Sequence, residues 1–297
     1  MPLWQEQLLD TSLFNKIGVV YQKQSDTTRL ATDRLRAFLS RQPVTVTESV
    51  ISAHPQQNDL HLTDPEALHG SDLVIVVGGD GTMLCAARAL AAADIPLLCI
   101  NLGRLGFLAD IPLEQMEPVL AGIFAGELFE EQRQLLDMEI LRDDQVSTAH
   151  TAFNDVVLHK WDSLRMIEFE TFIDGRSVNR QRADGLVIST PTGSTAYALS
   201  SGGPIAYPSM DAVLLVPVSP HAMGVRPMVV PGNSAIEVRL IPGSNEQTRI
   251  SYDGQGNLQM LDGDLLRVTA SNHRIKLIHP ADYDYFEILR TKLHWGK

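Results

Sequence analysis

The run Leu73-Val74-Ile75-Val76-Val77, followed at once by Gly78-Gly79-Asp80-Gly81-Thr82, constrains this chain more than any other feature. An apolar run without alternation, closed by glycine, describes a strand buried on both faces, as in a parallel sheet covered by helices. Met83 to Ala93 is rich in Ala and Leu and predicts a helix. Pro96 to Ile100 predicts the next buried strand. This β-loop-α-β unit predicts an open α/β sheet, Rossmann-like in plan, whose ligands bind outside the carboxyl ends of the strands. Upstream, Lys16 to Tyr21 is a further short apolar run, and Val44 to Thr47 alternates like a strand. Between them, Thr28 to Arg41 places Leu30, Ala31, Leu35, Phe38 and Leu39 on one helical face. The polar stretch from Ser52 to Gly70 carries His54, His61 and His69 at spacings that fit a solvated loop better than a compact metal site.

The pattern changes after Ile111. One more helix is expected from Leu113 to Ala125, and beyond it the chain is strand-rich. Glu168 to Ile173 alternates and runs through Asp174-Gly175 into Arg176-Ser177-Val178, a hairpin signal because glycine accepts positive φ. Asp262-Gly263 sits between two further strand-like runs, and Ile236 to Leu240 and Arg249 to Tyr252 also alternate. A β-rich second domain is expected. Tyr283 to His294 reads as a helix with Tyr285, Phe286, Leu289 and Leu293 on one face, a segment placed to return to the first domain. The expected division is 1–112 plus 281–297 for the α/β domain and 113–280 for the β-rich one.

With 24 Lys+Arg against 36 Asp+Glu, the net charge of −12 argues against a nucleic-acid binder. Any anionic ligand must be held by local features such as main-chain N–H groups, a few Arg or a metal ion. Cys85 and Cys99 are too few for a disulfide framework and read as buried thiols in a reducing compartment. Met1 to Glu6 lacks the features of a secretory signal, and no apolar run approaches the roughly 20 residues of a membrane span. The expectation is a soluble, cytoplasmic protein without membrane partners.

Four segments carry candidate chemistry. Gly78-Gly79-Asp80-Gly81-Thr82 joins a strand to a helix whose free N–H groups suit phosphate, and its glycines allow close backbone approach. It matches neither the G-x-G-x-x-G fingerprint nor the Walker A loop. Asp80 would repel phosphate unless it caps the helix, holds Mg²⁺, or accepts a proton from an attacking hydroxyl. Asp184-Gly185-Leu186 through Thr190-Pro191-Thr192-Gly193-Ser194-Thr195-Ala196-Tyr197 reads as strand, hydroxyl-rich turn and short helix. It suits phosphate or ribose hydroxyls, or is an ordinary Ser/Thr loop. Asn154-Asp155 heads a strand and can bond a sugar or an amide, or cap a turn. Asn101-Leu102-Gly103-Arg104-Leu105-Gly106-Phe107-Leu108 leaves the sheet beside Asp80, with Arg104 available to a phosphate or to solvent.

Taken together, these segments resemble the NAD kinase family over about residues 17–295. The Gly-Gly-Asp-Gly-Thr element is shared with 6-phosphofructokinases and with diacylglycerol and sphingoid-base kinases. The Thr190 to Tyr197 run is far more specific. The resemblance implies transfer of the γ-phosphoryl of ATP, or in some members polyphosphate, to the 2′-hydroxyl of the adenosine ribose of NAD, with a divalent cation such as Mg or Mn. It implies an α/β domain followed by a β-sandwich domain with the C-terminal segment returning to the first, and a homodimer or homotetramer. Asp80 matches the family's proton acceptor and Gly81 its neighbour in the NAD site. Asn154, Asp155, Arg165, Arg182, Asp184, Thr195, Ala196, Tyr197, Ala198, Leu199, Ser200 and Gln255 match NAD-binding positions. Most relatives have Glu where Asp155 stands, and often His or another polar residue where Arg165 stands. Arg182 matches relatives that use ATP and favour NAD over NADH. Gly78, Gly79, Thr82 and Arg104 are the candidate phosphate contacts, and no side chain is assigned to metal. Three other readings compete: a lipid or sugar kinase with the same glycine loop, a non-catalytic dinucleotide-binding regulator, and, more distantly, a Ser-His-Asp hydrolase drawing on His159 or His221 without a nucleophile elbow.

Overall fold

The computed structural model describes residues 13–23, 25–53, 60–103, 106–161, 165–241 and 248–295. The amino-terminal half alternates β1 (Lys16–Gln22), α1 (Asp26–Leu39), β2 (Thr45–Ala53), β3 (Leu60–Leu62), β4 (Leu73–Gly78), α2 (Asp80–Leu90), β5 (Leu97–Asn101), β6 (Ile111–Pro112) and α3 (Met116–Phe124). Strands β2, β1, β4 and β5 lie side by side and parallel. Every residue of β4 is buried, because α1 and α3 cover one face of the sheet and α2 the other. Ser25 caps α1 by accepting from the Thr28 N–H at 3.1 Å. Ala31, Leu35, Phe38 and Leu39 are buried, while the expected Leu30 is turned out to solvent, because at about 100° per residue it lies well off the stripe those four form. The stretch read as a polar loop from Ser52 to Gly70 is more ordered than expected. β2 runs to Ala53 and His61 lies on β3, paired opposite Ser52, while His54 falls outside the described residues.

The second half is built of strands: β7 (Leu128–Arg142), β8 (Gln145–Ala152), β9 (Asp155–Lys160), β10 (Ile167–Ile173), β11 (Arg176–Ala183), β12 (Gly185–Ser189), then after the short helix α4 (Tyr197–Ser200), β13 (Ala212–Val218), β14 (Met228–Pro231), β15 (Ile236–Leu240), β16 (Thr248–Tyr252), β17 (Gly256–Met260) and β18 (Leu265–Pro280). The Asp174-Gly175 hairpin forms as expected, with φ of 50° and 73° at its two central residues, the left-handed pair a type I′ turn requires. Among the described residues, one sheet has the order β14-β13-β12-β9-β16-β17. It faces β10, β15, β18, β7 and β8 across a core that includes Phe169, Ile188, Leu215, Ile236, Ile250 and Leu266. Two antiparallel layers with an interdigitated core make a sandwich.

One long strand joins the halves. The first part of β18 pairs with β15, and its last part runs parallel to β5, with Leu277 opposite Leu97, while β7 pairs antiparallel along nearly its whole length. Helix α5 (Tyr285–Leu293) follows, capped by Asp284. The C-terminal segment thus returns to the α/β half through a strand as well as a helix.

Candidate functional site

The carboxyl end of β4 delivers Gly79, Asp80 and Gly81 to the start of α2. Gly79 is the N-cap, and no side chain caps the helix. Asp80 is therefore not the helix cap that its position at the turn allowed. Its carboxylate faces the opposite way, to the turn that follows β5. Oδ2 accepts from the Phe107 N–H at 3.0 Å, and Oδ1 accepts from Leu108 at 3.1 Å and Ala109 at 3.0 Å. Gly106 is required here: a Cβ on it would overlap the Asp80 carboxyl. The same turn is pinned by Asn101, whose side-chain amide donates to the Ala109 carbonyl at 2.9 Å. Thr82 is buried beneath Gly78, while Gly79 and Gly81 stay exposed. Arg104 lies outside the described residues.

A second set of contacts reaches this loop from the other half of the chain. Gln255 donates its side-chain amide to the Gly81 carbonyl at 2.8 Å and accepts from Arg88 on α2 at 2.8 Å. Arg88 also pairs with Asp253 at 2.8 Å, where the Asp253 side chain has no solvent exposure. Asp253 in turn accepts the main-chain N–H groups of Phe153 at 3.0 Å and Asn154 at 2.6 Å. The Asn154 carbonyl accepts the Thr190 N–H at 2.9 Å, and Gly193 packs so tightly on that carbonyl that a Cβ there would lie 2.5 Å from its carbon. The glycine turn, Gln255, Asn154 and the Thr190–Thr195 turn therefore form one connected wall.

The remaining candidates are placed as follows. Asp184 and Tyr197 share a cleft of about 350 Å³ with Val157, His159, Lys160, Val218 and Ser251, within the size range of small-molecule sites. Asp184 is held there by Lys160 at 2.6 Å. Thr195 donates to the Thr192 carbonyl at 3.3 Å, Leu199 is half-buried, and Ser200 is exposed. Ala198 is buried against Val157, Val187 and Leu214, so its side chain anchors α4 to the sheet. Ala196 is half-buried, whereas Arg182 is exposed on β11 and Arg165 is exposed just before β10. A larger hollow of about 540 Å³ at the head of α1, lined by Lys23, Ser25 and Arg29 among others, contains none of these positions.

Burial shapes the acid–base character of the wall. Asp155 is pushed up to about 7, by burial first and then by the neighbouring Asp253 carboxylate. Burial also pushes the His159 imidazole down. The Cys99 thiol is pushed well up by burial and then by the nearby Asp110 and Asp80 carboxylates. Reasoning from sequence missed Arg88, Asp253 and the Phe107–Ala109 amides. Asp253-Gly254 carried a signal of its own, since the pair forms a turn with φ of 50° and 64°.

The arrangement is an open α/β sheet whose glycine turn is joined through main-chain and side-chain contacts to a hydroxyl-rich turn on a β-sandwich, and its two halves match the two domains of a phosphotransferase family. Residues 5–128 match the ATP-NAD kinase N-terminal domain, and residues 153–280 the C-terminal domain. An NAD kinase of Teredinibacter turnerae is 46% identical over 285 residues, covering 95% of this chain and 97% of that one. An NAD kinase of Marinobacter nauticus is 50% identical over 227 residues, 76% of each chain. The NAD kinase from Archaeoglobus fulgidus in complex with ATP superposes with a TM-score of 0.74 at 27% identity, covering 94% of this chain and 98% of that one. Yeast NADH kinase complexed with NADH shares the fold, with a TM-score of 0.82 at 22% identity and 97% and 92% coverage. The chain belongs to the NAD kinase family.

Proposed function

We propose that this chain transfers the γ-phosphoryl of ATP to the 2′-hydroxyl of the adenosine ribose of NAD, giving NADP and ADP. The observation that carries this reading is the contact running from Gly81 through Gln255 and Asp253 to Asn154 and Thr190, which puts the Asp80 turn and the Thr190–Tyr197 run on one wall.

Asp80 is the proton acceptor. A carboxylate offers about four lone-pair sites. Oδ1 takes two N–H donors and Oδ2 takes one, so Oδ2 keeps a lone pair for the ribose hydroxyl while the loop fixes its direction. Phosphoryl transfer has a loose transition state, and catalysis is mostly positioning and charge neutralisation. A positioned base then contributes roughly 10²–10⁴ in rate. Gly78, Gly79, Thr82 and Arg104 belong to the phosphate side of the site, with the N-terminus of α2 directed at the transferred group. Asn154, Asp155, Arg165, Arg182, Asp184, Thr195 to Ser200 and Gln255 hold NAD, with the cleft at Asp184 and Tyr197 taking part of the dinucleotide.

Among the described residues, no three His, Cys, Asp or Glu side chains converge as a metal cage. Of the Asp80 oxygens, Oδ1 is filled by two main-chain donors and Oδ2 keeps one position, which this reading gives to the ribose hydroxyl, so no side chain is assigned to a resident cation. In this reading Mg or Mn enters with the triphosphate as part of the donor substrate, as suits an octahedral ion that keeps phosphate and water ligands, and no step is assigned to it. The same reading includes the division into 1–112 plus 281–297 and 113–280, a cytoplasmic location, and a homodimer or homotetramer. No helix among the described residues is long and apolar enough to cross a membrane.

The test is purified protein with ATP, Mg²⁺ and NAD, assayed by a dehydrogenase that accepts only NADP. Parallel reactions offer diacylglycerol and fructose 6-phosphate. Formation of NADP is expected. ADP release only with the lipid or the sugar phosphate, or NAD binding without ADP release, would overturn the reading.

A further inference from the structure

Behind the Asp80 turn lies a buried row of charges that the reaction as described does not use. Asp110 follows directly on the turn that holds Asp80. Its carboxylate is bonded by His279 Nδ1 at 2.6 Å. The other ring nitrogen, Nε2, faces Glu131 at 3.8 Å. Glu131 is in close ion pair with Arg133, and Arg133 donates to the Thr192 hydroxyl at 3.2 Å. The His279, Glu131 and Arg133 side chains are 2%, 5% and 2% exposed. The row begins beside the main-chain donors of Asp80 and ends in the Thr190–Thr195 turn.

We propose that His279, held between Asp110 and Glu131, is a positioning residue for phosphoryl transfer, tying the turn that orients Asp80 to the Arg133–Thr192 contact. This rests on Asp80 being the proton acceptor. A buried carboxylate left without its partner must be resolvated or protonated, and either outcome moves the backbone that carries it. For Asp110 that backbone is the Phe107–Ala109 turn. A buried polar row of this kind holds a unique geometry only when its members are paired.

His279 is enclosed from every side that could set its charge. The loop supplies Asp110, β7 supplies Glu131 and Arg133, and the C-terminal segment supplies Tyr283, whose ring stacks on the imidazole at 3.9 Å. Burial alone would drive the imidazole down, but the Asp110 hydrogen bond and the charges of both carboxylates outweigh it and hold His279 above its usual value. Raising the pH through that value removes the charge that joins Asp110 to Glu131.

The test compares the full-length protein with His279→Gln. Four readouts are taken: kcat, KM for NAD, the kcat–pH profile, and amide hydrogen exchange of the peptide covering residues 106–110. The expected result is a kcat at least tenfold lower, a KM for NAD within about threefold, and exchange at 106–110 at least tenfold faster. The alkaline fall in kcat expected of the wild type should be absent from the variant. A merely structural histidine would lower the folded fraction and leave that pH profile in place. Unchanged exchange with kcat within twofold overturns the proposal, as does a variant that keeps the alkaline fall. If His279→Gln does not fold, Asp110→Asn is measured instead. Faster exchange and lower kcat support the link, and wild-type values for both sink it. A wild type that makes no NADP sinks the kinase reading alone, because exchange at 106–110 still decides whether His279 holds the turn.

Discussion

The side-chain amide of Gln255 hydrogen-bonds the carbonyl oxygen of Gly81 at 2.8 Å, across 174 positions of the chain. This one contact fastens the sandwich to the first turn of the helix behind Asp80. Gln255 is itself held by Arg88 from the same helix, so the two halves of the site are registered by a three-residue clamp rather than by broad surface contact alone.

Replacing Asp80 by Asn should lower kcat by about 10²–10⁴ while NAD still binds. The amide cannot accept the three main-chain N–H groups as a carboxylate does, so a loss of about 1–3 kcal/mol in stability is also expected. Steady-state kinetics, calorimetric NAD titration and urea unfolding separate the two effects. Near-native turnover would remove Asp80 from the chemistry.

Arg88→Met removes the cation beside the fully buried Asp253 carboxylate. Breaking a buried pair from one side costs about 3–5 kcal/mol; here the main-chain donors of Phe153 and Asn154 remain, which places the expected loss near the lower figure. The urea midpoint should fall accordingly and KM for NAD should rise, because Gln255 loses its anchor. An unchanged midpoint would show that the main-chain donors alone satisfy Asp253.

Gly193→Ala places a methyl group against the Asn154 carbonyl, with its carbon only 2.5 Å from the new atom. The start of β9 and the turn after β12 must part to admit it. The expected outcome is a loss of about 1–3 kcal/mol, the usual cost of overpacking, together with NAD binding at least tenfold weaker. Gly103→Ala is the control, since a methyl group there meets nothing within 4 Å; equal effects of the two variants would contradict the steric account.

Asp155 gives the fold an acid-favouring contribution. Its folded value of about 7 lies above the ordinary carboxylate value of 3.8. The folded state therefore binds the proton more tightly than the unfolded chain. Its contribution is fully present below about pH 4 and is lost as pH rises through about 7. At 1.36 kcal/mol per unit, the loss is of order 4 kcal/mol. Asp155→Asn should flatten that part of the stability–pH curve, read by denaturant unfolding at pH 4, 5.5, 7 and 8. A wild-type curve that rises across this window would contradict the assignment.

The fold was legible wherever local pattern and tertiary role coincide. Leu73 to Val77 is apolar throughout because both of its faces are covered, and Asp174-Gly175 turns because its two residues take positive φ. Leu30 misled because its neighbour Ala31 is on the buried stripe, while a step of about 100° per residue puts Leu30 itself well off the face of Ala31, Leu35, Phe38 and Leu39. The site motifs were legible as turns at strand ends. Their wiring was not: Asp80 meets its partners through main-chain N–H groups, which are the same for any residue, and Arg88, Asp253 and His279 act through neighbours more than 100 positions away. His61 was read into a loop because the polar residues around it hide a three-residue strand whose partner is supplied by β2.

The passage of β18 through both layers limits how the molecule can breathe. A hinge needs a flexible connector, whereas here the ladder with β7 runs from Leu265 to Pro280 and breaks only between Ala270 and Arg274. Relative motion of the two halves would have to twist this ribbon at that interruption, because β18 is a strand of both.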